Sequence, residues 1–487
     1  MNDYNDYYVD PNTYSNLQSD SAMLQAAVDE ASRMGAEVMI PTHNNRTGRD
    51  IWEITEPINL YSGSSVVIRN AHLRIADDSI CNIFKNSNCD TPLGTKKEGR
   101  QFYITIRGIG QALLDGGKYH HICENTPASF GYPPMYRSHS IHFQNVEHVV
   151  LENLHFKNHR YWAICLRSCA YGHLSNLFFS SQGNVPNQDG IDLRVGCHHI
   201  SIENIMGATG DDLIALTGMM HGHNEALHAE GQPKAIHDIV IRNVLGYGIC
   251  GCSLVRLLNN DGVKLYNITI DSVHETSPWS RDDAQVGINP DLYRTITESG
   301  HFEAPYAEPG KNGYRLDALI RIGENFWYDP QKGPAKSGDT YGITIRNLCS
   351  HSCAAVVISC TLENSLIEDV RVFGNGSRAI LCNDGEIRNV TFRDIVFTAD
   401  CLPHPDDEHI HIRWNATDAD GFSAVYFNRT KGSGLLFDNV ITGNGLQAAF
   451  AGTGDVEIEA YRIRCRDQQT VLAIGENIKI LNAAAPK

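Results

Sequence analysis

Asn187-Gln188-Asp189-Gly190-Ile191-Asp192-Leu193-Arg194, followed about 23 residues later by Gly210-Asp211-Asp212-Leu213-Ile214-Ala215-Leu216, decides the fold. Each segment puts carboxylates just ahead of a short apolar alternation. The same alternation returns along the chain. Five-residue windows start at Ser140, Ala163, Gly190, Leu213, Leu254, Leu319, Ala355, Ala379, Ala424, Ala448 and Val471. Their second positions are Ile141, Ile164, Ile191, Ile214, Val255, Ile320, Val356, Ile380, Val425, Ala449 and Leu472. Their fourth positions are Phe143, Leu166, Leu193, Leu216, Leu257, Ile322, Ile358, Cys382, Phe427, Ala451 and Ile474. All are apolar, whereas third positions such as His142, Asp192, Arg256, Arg321 and Tyr426 are mixed. Period-two alternation means strands with one face inward and one outward. Its return at intervals of about 23 or 24 residues means a solenoid, in which each coil packs on the next.

A second pattern supports the first. Asn145, Asn153, Asn176, Asn204, Asn243, Asn267, Asn347, Asn389 and Asn439 each precede an apolar residue. An asparagine recurring at a coil corner can bond the corner backbone and the asparagine of the next coil.

Length alone, 487 residues, suggests two or three domains. A solenoid escapes that rule, because each repeat needs only its neighbours. The expectation is one all-β domain over residues 1–487, with an N-terminal cap over about 1–50 and coils over about 51–480. In the cap, Asp20 or Ser21 starts a helix whose Leu24, Ala27, Val28 and Ala31 follow the 3.6-residue period, and Gly35 ends it. Strands follow at Val38-Met39-Ile40-Pro41 and from Ile58 to Ile68.

Excess length marks four insertions: 218–236, 274–316, 325–340 and 399–422. Loops this long in a regular coil tend to carry function. Trp279, Trp327 and Trp414 lie in or beside them, where a ring can stack on a sugar face or anchor the loop. His221-Gly222-His223, with His228, sits in the first insertion. His223 suits substrate contact better than metal, which needs three converging ligands. His409-Ile410-His411 alternates like a strand and reads as structural. Cys250-Gly251-Cys252 lacks metal spacing.

A net charge of −17 argues against nucleic acid as a partner. No apolar run approaches the length of a membrane span, so no membrane partner is expected. Residues 1–20 are polar and tyrosine-rich, without the basic and apolar blocks of a secretory leader. Together with fourteen cysteines, read as reduced thiols, this predicts a cytoplasmic protein. No cofactor is expected, and the oligomeric state is open.

The carboxylates carry the chemistry. In the window alignment Asp189 and Asp212 occupy equivalent positions of successive coils, with Asp211 beside Asp212. Stacked strands lie about 4.8 Å apart. Acid and base carboxylates held on a rigid sheet suit cleavage of a glycosidic bond, and three Asp can supply the spacing of an inverting pair. The same groups can also bind Ca²⁺ or simply form turns, since Asn-x-Asp-Gly and Gly-Asp-Asp are ordinary turn sequences.

Asn187-Gln188-Asp189-Gly190-Ile191-Asp192 and Gly210-Asp211-Asp212 resemble the Asn-x-Asp and Asp-Asp signatures of family-28 glycoside hydrolases, the polygalacturonase group. Leu24-Gln25-Ala26-Ala27-Val28 through Ile40-Pro41, and Asn158-His159-Arg160-Tyr161-Trp162, are similar to that family as well. The resemblance covers roughly residues 20–400. It implies a single-stranded right-handed parallel β-helix and inverting hydrolysis. It also implies that Asp211 is the general acid, and that Asp189 and Asp212 activate water.

This chain departs from the family at two places. Ser253 stands where the family has a supporting His, and Gly323 where it has a substrate-binding Lys; Arg321 keeps the family Arg. Arg256 adds a cation one coil earlier, in the same outward column. A galacturonate site has lost a partner, so polygalacturonate is not the expected substrate. Arg256 and Arg321 can instead hold hydroxyls or pair with Asp192. Asn187, Asp192, Ser253, Arg256, Arg321 and His223 are the expected substrate-binding residues. The expected activity is an exo-acting inverting glycosidase on an oligosaccharide. The alternatives are a β-helix lyase or epimerase on uronate sugars, with Arg256 or Arg321 as base, and a non-catalytic carbohydrate-binding solenoid.

Overall fold

The computed structural model describes residues 8–77, 79–117, 121–122, 135–181, 187–248, 252–277, 295–296, 302–303, 316–324, 327–374, 377–398 and 423–483. Trp279, Trp414, His409-Ile410-His411, Cys250-Gly251 and most of the 274–316 and 399–422 insertions lie outside these residues. The chain divides into two compact units. One gathers residues 1–211, 227–233 and 286–309, and the other residues 212–226, 234–285 and 310–487.

Both units are right-handed parallel β-helices. In the first, Ile58–Leu60, Phe84–Asn86, Ile141–Gln144, Ile164–Arg167 and Ile191–Arg194 stack as parallel strands. Ile141, Ile164 and Ile191 face one another in register, as do Phe143, Leu166 and Leu193. A second sheet stacks Ser65–Arg69, Gln101–Ile109, Val146–Glu152, Ala170–Ser180 and His198–Thr209. Parallel neighbours in a coil require a crossover, and the twist of L-residue strands makes that crossover right-handed. In the second unit, eight strands from Ile214–Gly218 to Val471–Ile474 form one sheet. The inward column runs Ile214, Val255, Ile320, Val356, Ile380 and Val425. These side chains are fully buried. Each contributes roughly 1.5–3 kcal/mol of hydrophobic stabilisation.

The alternation slips by one residue at the last coils. Val425 pairs with Phe450, not with Ala449, and Phe450 with Ala473. Phe450 is fully buried and meets Phe437 edge-on at 4.9 Å. A ring fills the core that a methyl would leave void. In the last strand Ile474 follows Ala451, not the inward column, and is 40% exposed. A one-residue slip turns every side chain to the other face.

All nine corner asparagines are left-handed, with φ between 53° and 60°. They occupy three corners rather than one. Asn153, Asn176 and Asn204 form one ladder, in which Asn176 Nδ2 donates to Asn153 Oδ1 and Asn204 Nδ2 to Asn176 Oδ1, both at 3.1 Å. Asn267 and Asn389 belong to another corner and donate to Asp238 and Asn364. Asn145 sits at a third, where its Nδ2 donates to Lys96 O at 2.9 Å.

Helix α1, Asp20–Met34, is capped by Ser19, whose Oγ accepts from Ala22 N, not by Asp20 or Ser21. Those two turn to the strands instead. Asp20 accepts from Glu53 N at 2.7 Å and Ser21 from Thr55 N at 2.9 Å. Gln25 does the same for Asn59 N at 2.8 Å. An open sheet edge exposes unpaired N–H groups, and α1 satisfies three of them with side chains. Met23, Leu24, Ala27, Val28 and Ala31 are buried, and Gly35 ends the helix at φ 68°. No helix among the described residues is long and apolar enough to cross a membrane.

Candidate active site

The first unit brings together Asn187, Asp189 and Asp211. Gln188 fixes the turn: its carbonyl accepts from Gly210 N at 3.2 Å and Asp211 N at 3.3 Å. Its side-chain amide donates to His159 O at 2.6 Å. Asn187 adopts φ 58°, and its N–H donates to Asp211 Oδ2 at 3.3 Å. Asp189 O accepts from Ala163 N at 2.9 Å, which ties the motif to the preceding strand. As a result the Asp189 and Asp211 carboxylates approach within 4.8 Å. Asp189 is buried and Asp211 half-buried. Their nearest oxygens are closer than the roughly 6.5–9.5 Å between carboxyl groups of an inverting pair. Their spacing alone therefore gives no argument for inversion.

Aromatic and charged groups flank this pair. His159 is fully buried, and burial lowers its pKa to about 4, so the ring is neutral near pH 7. Asp192, on the outward position of its strand, lies 3.7 Å from Arg194. The Arg194 guanidinium in turn lies 4.5 Å from the Trp162 ring centroid. That contact is a cation–π interaction.

Asp212 opens the second unit. Its Oδ1 accepts from Ser253 N at 2.8 Å, and its Oδ2 from Arg256 Nη1 at 3.2 Å. Both oxygens are thus fixed in direction. Ser253 contributes its backbone here; its hydroxyl is buried and makes no hydrogen bond among the described residues. Arg256 and Arg321 face each other in register on neighbouring strands, as the alternation predicts. Glu324 pairs with both, Oε2 on Arg256 and Oε1 on Arg321. Sequence reasoning missed Glu324. The signal was present, since two cations stacked about 4.8 Å apart demand an anion, and Glu324 follows Arg321 by three residues.

His223 begins the short helix α2, His223–Ala226, and is half-buried. The segment around it is pinned elsewhere. His221 Nδ1 meets Asp261 Oδ2 at 2.5 Å, and Lys332 reaches Glu225 at 3.0 Å and Met220 O. These contacts make the segment an anchored loop. Trp327 is 47% exposed while its carbonyl accepts from Asn260 Nδ2 at 2.6 Å, so the ring stands on a fixed backbone.

Residues 103–227 match the family model for glycosyl hydrolases family 28. The resemblance read from the sequence therefore holds over the stretch that contains Asp189, Asp211 and Asp212. No curated protein matches the chain. Among solved structures, the tailspike protein of E. coli bacteriophage HK620, in complex with a pentasaccharide, is similar at 11% identity and TM-score 0.52. The match covers 95% of this chain and 77% of that one. PfbA, a surface adhesin of Streptococcus pneumoniae, is similar at 10% identity and TM-score 0.51, over 99% of this chain and 97% of that one. A family 28 exopolygalacturonase of Yersinia enterocolitica aligns at 10% identity and TM-score 0.49, over 98% and 79%. The tailspike and the adhesin share the fold of this chain. One fold carrying such different proteins does not select an activity, so the side chains must.

Proposed function

We propose that this chain is an inverting glycoside hydrolase, exo-acting on an oligosaccharide other than polygalacturonate. One observation carries the reading. Asp189 and Asp211 stand within 4.8 Å on a turn fixed by backbone hydrogen bonds, inside the stretch that matches family 28. Asp211, the more exposed of the two, is the general acid that protonates the leaving oxygen. Asp189 and Asp212 are the carboxylates that activate water. Inversion rests on the family resemblance. Exo action rests on the long insertions, which suit a closed pocket better than an open groove.

The pairing of Arg256 and Arg321 with Glu324 supports a neutral sugar at that position. It also weakens the lyase reading, which asks one of these arginines to act as a base. The proposal keeps the reducing compartment read from the cysteines: the ten described ones carry free thiols.

The test is hydrolysis of a panel of neutral oligosaccharides and aryl glycosides, with the first product followed by NMR. The inverted anomer is expected. Retention would replace water activation by a covalent aspartyl intermediate. Polygalacturonate cleaved at ordinary enzymatic rates, on the order of 10 per second, would remove the substrate assignment.

A further inference from the structure

We infer that Glu324 is a built-in occupant of a carboxylate-binding site, and that it sets the charge of the sugar this chain accepts. The inference rests on the carbohydrate reading above, but it stands on its own geometry. Arg256 and Arg321 project from adjacent parallel strands at paired positions. Two guanidinium groups in that arrangement form a fork for one carboxylate, with one oxygen on each. Glu324 takes that position and is 2% exposed, so the pair is closed to solvent on its carboxylate side. Arg256, with an 18% exposed side chain, also holds Asp212. Arg256, Arg321, Asp212 and Glu324 thus bring two formal positive and two formal negative charges together.

The chain is shaped to deliver Glu324 there. Gly323 turns the backbone at φ +80°, a conformation that side chains disfavour. A Cβ at this glycine would also meet Cys360 Sγ at 2.4 Å. The turn is fixed by Gly323 N donating to Leu257 O at 2.6 Å. It is fixed again by Asn260 Nδ2 donating to Glu324 O at 3.3 Å. The glycine that replaces a side-chain cation at position 323 is therefore the residue that folds an internal anion back onto the arginines. An acidic sugar arriving at this column meets Glu324 where its own carboxylate would bind. A neutral sugar meets no such conflict.

Binding is measured by calorimetry with galacturonate and with galactose, which differ only in the carboxylate, on wild type, Glu324→Gln and Glu324→Ala. Wild type is expected to show no preference for galacturonate. Glu324→Ala leaves two arginines without their shared anion, and should bind galacturonate at least about 10-fold more tightly than wild type does, with galactose unchanged. Glu324→Gln, which keeps an acceptor oxygen but no charge, should fall between. Because the variant leaves the two arginines one buried carboxylate short, acetate should raise the melting temperature of Glu324→Ala and leave wild type unmoved. This readout works even where the variant is weakened. The inference is overturned if Glu324→Ala gains neither galacturonate binding nor acetate stabilisation. It is equally overturned if wild type already favours galacturonate 10-fold. None of these measurements needs catalysis. If no glycoside is ever cleaved yet Glu324→Ala acquires the anion, the hydrolase reading fails and this one stands.

Discussion

Within the second unit one outward column changes character between two neighbouring strands. Arg256 faces Arg321, and Arg321 faces Val357. From there the column runs Leu381, Tyr426 and Ala451. The first two are cations bound to buried carboxylates. The rest are apolar and at most 1% exposed, clustered with Ala318, Ala354 and Ala448. The inward columns do not change across this boundary. Backbone geometry is therefore indifferent to what the outward position carries. The fold supplies a ruled surface, and the third residue of each window decides whether a coil does chemistry or only holds together.

The first way to break this contrast is at the carboxylates. Asp211→Asn keeps the shape of the side chain and removes the proton donor. Hydrolysis should fall by roughly 100- to 10,000-fold with little change in melting temperature. A substrate with a good leaving group should recover part of the rate, because it needs little protonation. Asp189→Asn should show no such recovery. A variant that unfolds early but turns over normally would make the acidic segments structural turns.

At the apolar end the expectation is reversed. Leu381→Ala should cost about 2–5 kcal/mol, read from denaturant unfolding, with turnover per folded molecule unchanged. Lost turnover at full stability would mean that the apolar half also touches substrate.

A smaller effect tests the buried polar flank of the first unit. The His159 pKa, about 4, lies below the ordinary value of 6.5 because of burial. As pH falls, the unfolded chain therefore takes up the proton before the folded one does. Stability is full above about pH 6.5, declines between there and about pH 4, and then levels off. The loss is on the order of 3 kcal/mol. His159→Gln should flatten the slope of stability against pH in this window. An unchanged slope would assign the dependence to other groups.

Much of this was legible in the residues. The inward columns could be read because alternation is a local, repeated signal, and the stacked strands follow it from Ile141 to Phe427. The acidic motif could be read because its residues lie close in sequence. The asparagines could be recognised as corner residues, but neither their left-handed backbone nor their division among three corners could be read, since each corner looks alike locally. The slip at Phe450 was hidden for a related reason. Ala449, Phe450 and Ala451 are all apolar, so the pattern fits two registers there, and only packing against Phe437 separates them.

By itself the sequence determined a solenoid of short strands with a capping helix and a carboxylate turn at Asn187–Asp192 and Gly210–Asp212; its right-handed parallel winding came only through the family resemblance. Periodicity and short-range spacing are enough for the solenoid and the turn, because every coil repeats the same local rule. Only the tertiary structure decided that Ser19 caps α1 while Asp20 and Ser21 serve the strand edge, and that Glu324 closes the arginine pair. Those outcomes depend on groups brought together from distant positions, such as Asp20 with Glu53 and Glu324 with Arg256. Local propensity is silent about such pairs. Burial decides them, because a charge or an N–H removed from water must find a partner wherever the chain delivers one.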